Sequence, residues 1–168
     1  MEKEYKMLRN KYLPSKIKIV FVLESPPAGG GYFYNPNGKT SEILFRSLMN
    51  CLFGDKYIAK TKAEGLQKFK ESGYLLVDPI YQPINKLSDK QKKDLILKNY
   101  NNFLQDLHSL KINKNTKIIL IKKNICLLLE EKLKRDGFNV LNKGLIIPFP
   151  MHYYIKKFNN QLRELLQL

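Results

Sequence analysis

The chain reads as an α/β fold, a three-layer α/β/α sandwich around a short, mainly parallel four-stranded sheet. Two observations predict it. Short β-branched runs alternate with longer segments of helical apolar spacing, and each run stops at Pro, Gly or Asp turn chemistry. Strands alternating with helices give a parallel sheet covered on both faces.

The elements follow in order. Residues 2–12 suit a helix, which Pro14 closes before the first strand at 16–23 (KIKIVFVL). Thr40 or Ser41 caps a helix through about Phe53, with Ile43, Leu44, Leu48 and Leu52 at helical spacing and Gly54 at its end. A second such helix spans 62–72 and stops at Gly73; the second strand is 74–77 (YLLV), stopped by Asp78 and Pro79. Ser88, with Gln91 three residues on, has the form of a capping box opening one long helix to about Leu110. Residues 117–121 (KIILI) are the third strand and 124–135 a helix ended by Gly137. Either 138–141 or 145–147 supplies the last strand, followed by PFPMHYY and a closing helix to Leu168.

With 168 residues, 43% of them hydrophobic, the chain suffices for one ordinary core, so 1–168 is expected to be a single domain. The first dozen residues are charged throughout, and no run approaches the roughly 18 apolar residues of a membrane span. A cytoplasmic protein without a membrane partner is expected, as a monomer. Two cysteines, Cys51 and Cys126, are too few for a disulfide framework and sit in no ligand-spaced cluster, so neither a metal nor a cofactor is expected. The formal charge of +15 points to a polyanionic partner, nucleic acid being the commonest. Of the 30 basic residues only Arg9, Arg46, Arg135 and Arg163 are arginine, which favours diffuse attraction to a phosphate backbone over base-edge reading in a groove.

In a parallel sheet the loops that follow strands share one edge, where open α/β sheets bind ligands. Here they are 24–40, 78–87, 122–124 and 148–154. The first, ESPPAGGGYFYNPNGKT, joins an acid, glycines and three aromatics. Gly38, Lys39 and Thr40 match the end of a phosphate-binding loop, but Phe33 stands where its first glycine belongs and Pro36 removes a backbone N–H. Ser25, Asp78 and His152 follow the order of a hydrolase triad, but Pro26 lacks the N–H that the oxyanion hole takes from the residue after the nucleophile.

FVLESPPAGGGYFYNPNGKTSEILFRSL resembles the first motif region of the uracil-DNA glycosylase superfamily: an acidic or Ala-Pro start, a glycine-bearing turn, an aromatic, then a helix carrying Leu-Phe. YLLVDPIYQPIN is similar to that family's second strand and proline-rich exit, and KIILIKKNICLLL to its third strand and following helix. IIPFPMHYYIKKFNNQLRELL is similar to its last strand, His-Pro-Ser loop and closing helix. Leu23 replaces a family glycine, and Pro150-Met151-His152-Tyr153 replaces His-Pro-Ser, with Met151 on the family histidine when the closing helices are aligned.

The resemblance implies a uracil-DNA glycosylase-like fold and an enzyme of DNA repair, a hydrolase that flips a deaminated base (uracil or similar) out of single- or double-stranded DNA and cleaves its N-glycosidic bond. Glu24 would then orient water and balance the sugar cation, and His152 would donate to the departing base. Tyr34, ahead of Phe33, would stack on the base, and Asp78 and Asn124 would read its edge or orient a loop. Asp78 reads equally as a turn opener and Asn124 as a helix cap. Lys39, Lys122, Lys123, Lys156 and Lys157 flank the same edge and would neutralise phosphates. The alternative is a noncatalytic nucleic-acid-binding module on the same fold.

Overall fold

Strand β1 (Ile19–Val22) forms the centre of the structure, because Val20, Phe21 and Val22 have no exposed surface. A strand buried on both faces needs an unbroken apolar run, which IVFV supplies. The computed structural model describes residues 1–168. β2 (Tyr74–Val77) and β3 (Lys117–Leu120) flank β1, and β4 (Asn139–Val140) lies beyond β3, so the order is β2-β1-β3-β4 with every pairing parallel.

Seven helices connect and cover the strands: α1 (Glu2–Lys11), α2 (Ile43–Phe53), α3 (Lys62–Glu71), α4 (Asp89–Lys98), α5 (Tyr100–Ser109), α6 (Lys123–Arg135) and α7 (Ile155–Leu166). The step from β1 to β2 runs one way across the sheet, and the steps to β3 and β4 run the other way. Right-handed crossovers therefore put α2 and α3 on one face and α4, α5 and α6 on the other. The packing agrees, since α2 meets α7 while α4 meets α5 and α6. This α/β arrangement is compatible with the three layers expected. No helix is long and apolar enough to cross a membrane.

Two local expectations are corrected, and the open choice for the last strand is decided in favour of 138–141. The long helix predicted over 88–110 is two helices, although the Ser88–Gln91 capping box forms as expected. Asn99 divides them at φ −88°, ψ 1°, where its side chain donates to the Pro79 carbonyl at 2.8 Å and anchors the loop after β2. The last strand is only Asn139–Val140; residues 145–147 lie outside the sheet, although the Ile147 carbonyl accepts from Lys122 N–H at 2.8 Å. α2 begins at Ile43 instead of at a Thr40 or Ser41 cap, because the Glu42 side chain turns back to accept the Lys39 N–H at 2.8 Å.

α1 is attached through one buried charge. Arg9, 2% exposed, forks onto Asp106 of α5 at 2.6 and 3.2 Å and donates to the Tyr81 hydroxyl at 2.7 Å. A buried ion pair is tolerated only when its hydrogen bonds are met, and losing one partner strands the other charge. Arg9→Met is therefore expected to cost about 3 kcal/mol in urea unfolding, and adding Asp106→Leu to recover most of it. An unchanged midpoint for Arg9→Met would show that α1 is not held this way.

Candidate functional site

The parallel register brings three sequence-distant polar side chains to one level. Val22 pairs with Val77 on one side and Leu120 on the other, and the ladder continues with Leu23 N–H to Val77 and Ile121 N–H to Val22. Glu24, Asp78 and Lys122 leave the sheet one or two residues further on, and all three line one cleft of about 540 Å³. That volume lies in the range of small-molecule sites, at the carboxyl edge where such a sheet binds ligands.

Glu24 is 5% exposed and its carboxylate is satisfied from three directions. Lys122 Nζ donates to Oε1 at 2.7 Å, Asn124 Nδ2 donates to Oε2, and Lys92 Nζ stands 3.8 Å from Oε1. Asn124 is thus no helix cap. α6 starts one residue before it, and its amide is split between the Ile125 N–H and Glu24. Lys122 precedes α6 at φ 86°, ψ 134°, a combination that glycine adopts and side-chain-bearing residues resist.

Asp78 lies on the same cleft under the opposite electrostatic regime. It is 3% exposed and no side chain or backbone N–H donates to its carboxylate; its own N–H donates to the Tyr81 hydroxyl at 3.2 Å. Burial pushes its carboxyl up to about 8, the nearby Arg9 drawing it partly back and Glu24 adding to the rise. Below that value Asp78 carries a proton and can donate a hydrogen bond into the cleft, while Glu24 beside its ammonium groups accepts.

The aromatic wall differs from the expected one. Tyr34 has no exposed surface and lies off the cleft, its hydroxyl accepting the Leu76 N–H at 2.7 Å and so covering the open edge of β2. A ring so enclosed does not stack on a ligand. Phe33 and Tyr32 line the cleft instead, Phe33 edge-on to Tyr34 and Phe69 at 5.0 and 5.2 Å. The loop carrying them is stapled by buried Lys62, which donates to the Tyr32 carbonyl at 2.7 Å and pairs with Glu42. Gly38 closes against this pair, where an added Cβ would stand 2.4 Å from Glu42 Oε1.

The fourth loop supplies Phe149 and Met151 to the cleft, whereas His152 is exposed on the following single turn, edge-on to Tyr153 at 5.6 Å. The structure therefore brings together Glu24, Phe33, Asp78 and Lys122, with Asn124 behind Glu24; it leaves Tyr34 and His152 out. Lys39, Lys123, Lys156 and Lys157 are exposed and line no part of the cleft. Sequence reasoning missed Lys92 and the pairing of Lys122 with Glu24, since nothing in a run of lysines marks the one that turns inward. Met151 was marked only by the spacing to the closing helix.

No family model, curated protein or solved structure matches this chain.

The raised Asp78 carboxyl has a consequence for stability. Between about pH 4 and pH 8 the unfolded chain ionises Asp78 while the folded chain keeps it protonated, so the native state binds more protons and this residue subtracts stability as pH rises. Asp78→Asn is expected to unfold at higher urea than the parent at pH 8, with the gain shrinking as pH falls and vanishing near pH 4. A gain independent of pH would mean that Asp78 is not held protonated.

Proposed function

We propose that this chain is a DNA glycosylase-like hydrolase on a uracil-DNA glycosylase-like fold, excising a deaminated base, uracil or similar, after flipping it from the strand. The observation that carries the reading is the pair of carboxyl groups on one aromatic-walled cleft at the carboxyl edge of a parallel sheet. Glu24 is a carboxylate oriented by Lys122 and Asn124, and burial raises the Asp78 carboxyl to about 8. The order of motifs along the chain and the charge of +15 support the same reading.

Cleavage of an N-glycosidic bond develops positive charge on the sugar and negative charge on the base. Glu24 faces the first of these, as a fixed carboxylate whose position is set by Lys122 and Asn124, and it orients the attacking water. Asp78 faces the second and, when protonated, donates a hydrogen bond from its O–H to an acceptor on the base, the part assigned from sequence to His152. Phe33 and Phe149, which line the cleft, supply the apolar wall for the flipped base in place of Tyr34. No metal is needed in these steps.

The second reading, a noncatalytic nucleic-acid-binding module, draws on a different observation: Met151 enters the cleft where the resemblance has a histidine, and His152 stays outside. A glycosylase leaves alkali-labile abasic sites in oligonucleotides containing uracil, hypoxanthine or xanthine. Release of one of these bases is expected, with Glu24→Gln lowering it about 100-fold and leaving oligonucleotide binding unchanged. Salt-sensitive binding without release of any base would favour the binding module and remove the enzyme.

A further inference from the structure

Lys122 occupies a backbone conformation that a glycine would take without penalty, so a side chain stands here against the local conformational preference. The side chain is one-third exposed, lines the cleft and makes a single hydrogen bond, to Glu24 Oε1 at 2.7 Å. Glu24 is itself turned by the Asn124 amide on its other oxygen. An amine, a base within hydrogen-bond reach and a third group orienting that base make up the general arrangement of an activated nucleophile. Lys92, 3.8 Å from the same oxygen, remains as a cation for the carboxyl site after Lys122 gives up its proton.

We propose that Lys122 is a nucleophile and that the cleft has a second activity, opening the DNA strand at an abasic deoxyribose through a Schiff base. The choice of substrate rests on the base-excision reading above, since its product is an abasic sugar whose ring-opened form carries an aldehyde at C1′. Glu24 takes a proton from the Lys122 ammonium, and the freed nitrogen attacks C1′ to form a carbinolamine. That species takes a proton on its hydroxyl from Glu24 and loses water, leaving an iminium joined to Nζ. The Glu24 carboxylate then removes a C2′ proton, the C3′–O bond breaks, and the strand departs as its phosphate. Water hydrolyses the imine, returning the lysine and releasing an unsaturated aldehyde, so one water is lost and one regained and nothing is oxidised or reduced.

The test uses the full chain, a labelled single-stranded oligonucleotide with one preformed abasic site, and sodium borohydride to reduce the iminium. A covalent protein–DNA adduct is expected, mapping by peptide mass to Lys122. Lys122→Gly, which suits the backbone, and Lys122→Arg, which keeps the charge on Glu24 without the nucleophile, are each expected to lower adduct yield roughly tenfold or more. No adduct, or an adduct that maps to another lysine and persists in both variants, overturns the proposal. Because the abasic site is made beforehand, trapping at Lys122 without base release elsewhere would sink the base-excision reading and leave this one standing. Base release without trapping would do the reverse.

Discussion

The in-register parallel pairing of β1 with β2 and β3 is the constraint on which the site depends. Because Val22 is level with both Val77 and Leu120, the chain positions just beyond those residues emerge side by side, and Glu24, Asp78 and Lys122 face one space. A slip of one residue in either pairing would turn the inward side chains of that strand to the opposite face and separate the three groups. The burial of β1 on both faces, between helices of the two layers, makes such a slip expensive.

Around that edge, buried charge is handled in two ways. Glu24 with Lys122 and Asn124, Lys62 with Glu42, and Arg9 with Asp106 and Tyr81 are each matched by hydrogen bonds, and each fixes a loop or helix that lines or backs the cleft. Asp78 is the exception, since no protein group donates to its carboxyl and burial raises it to about 8. Matched pairs give rigidity, while an acid that no protein group donates to, on a ligand-sized cleft, is free to bond a ligand. A Glu24 carboxylate held by ammonium and amide donors, beside an Asp78 carboxyl that burial raises to about 8, is the basis for assigning acceptor and donor roles.

Much of the fold was legible because its strands are short apolar runs with abrupt ends: YLLV before Asp78-Pro79 gave β2 to the residue, and IVFV and KIIL were covered within longer predicted spans. Asn99 defeated the reading of α4 and α5 because its break is made by a tertiary hydrogen bond to Pro79, which no local pattern encodes. At the site, Glu24 and Asp78 were legible as acids directly after strands. Tyr34 and Phe33 are neighbours of equal local merit, both buried, and only packing against the β2 edge decides which of them lines the cleft. His152 and Met151 differ by one residue in a loop, where register is set by the docking of α7 and not by motif.

The cleft as a base pocket is tested most directly by the structure of the Glu24→Gln variant bound to a uracil-containing oligonucleotide. The base should lie against Phe33 with an acceptor atom in hydrogen-bond reach of the Asp78 carboxyl, and the sugar beside the side chain at position 24. DNA bound elsewhere on the surface, with the space between Glu24, Asp78 and Lys122 left empty, would contradict it.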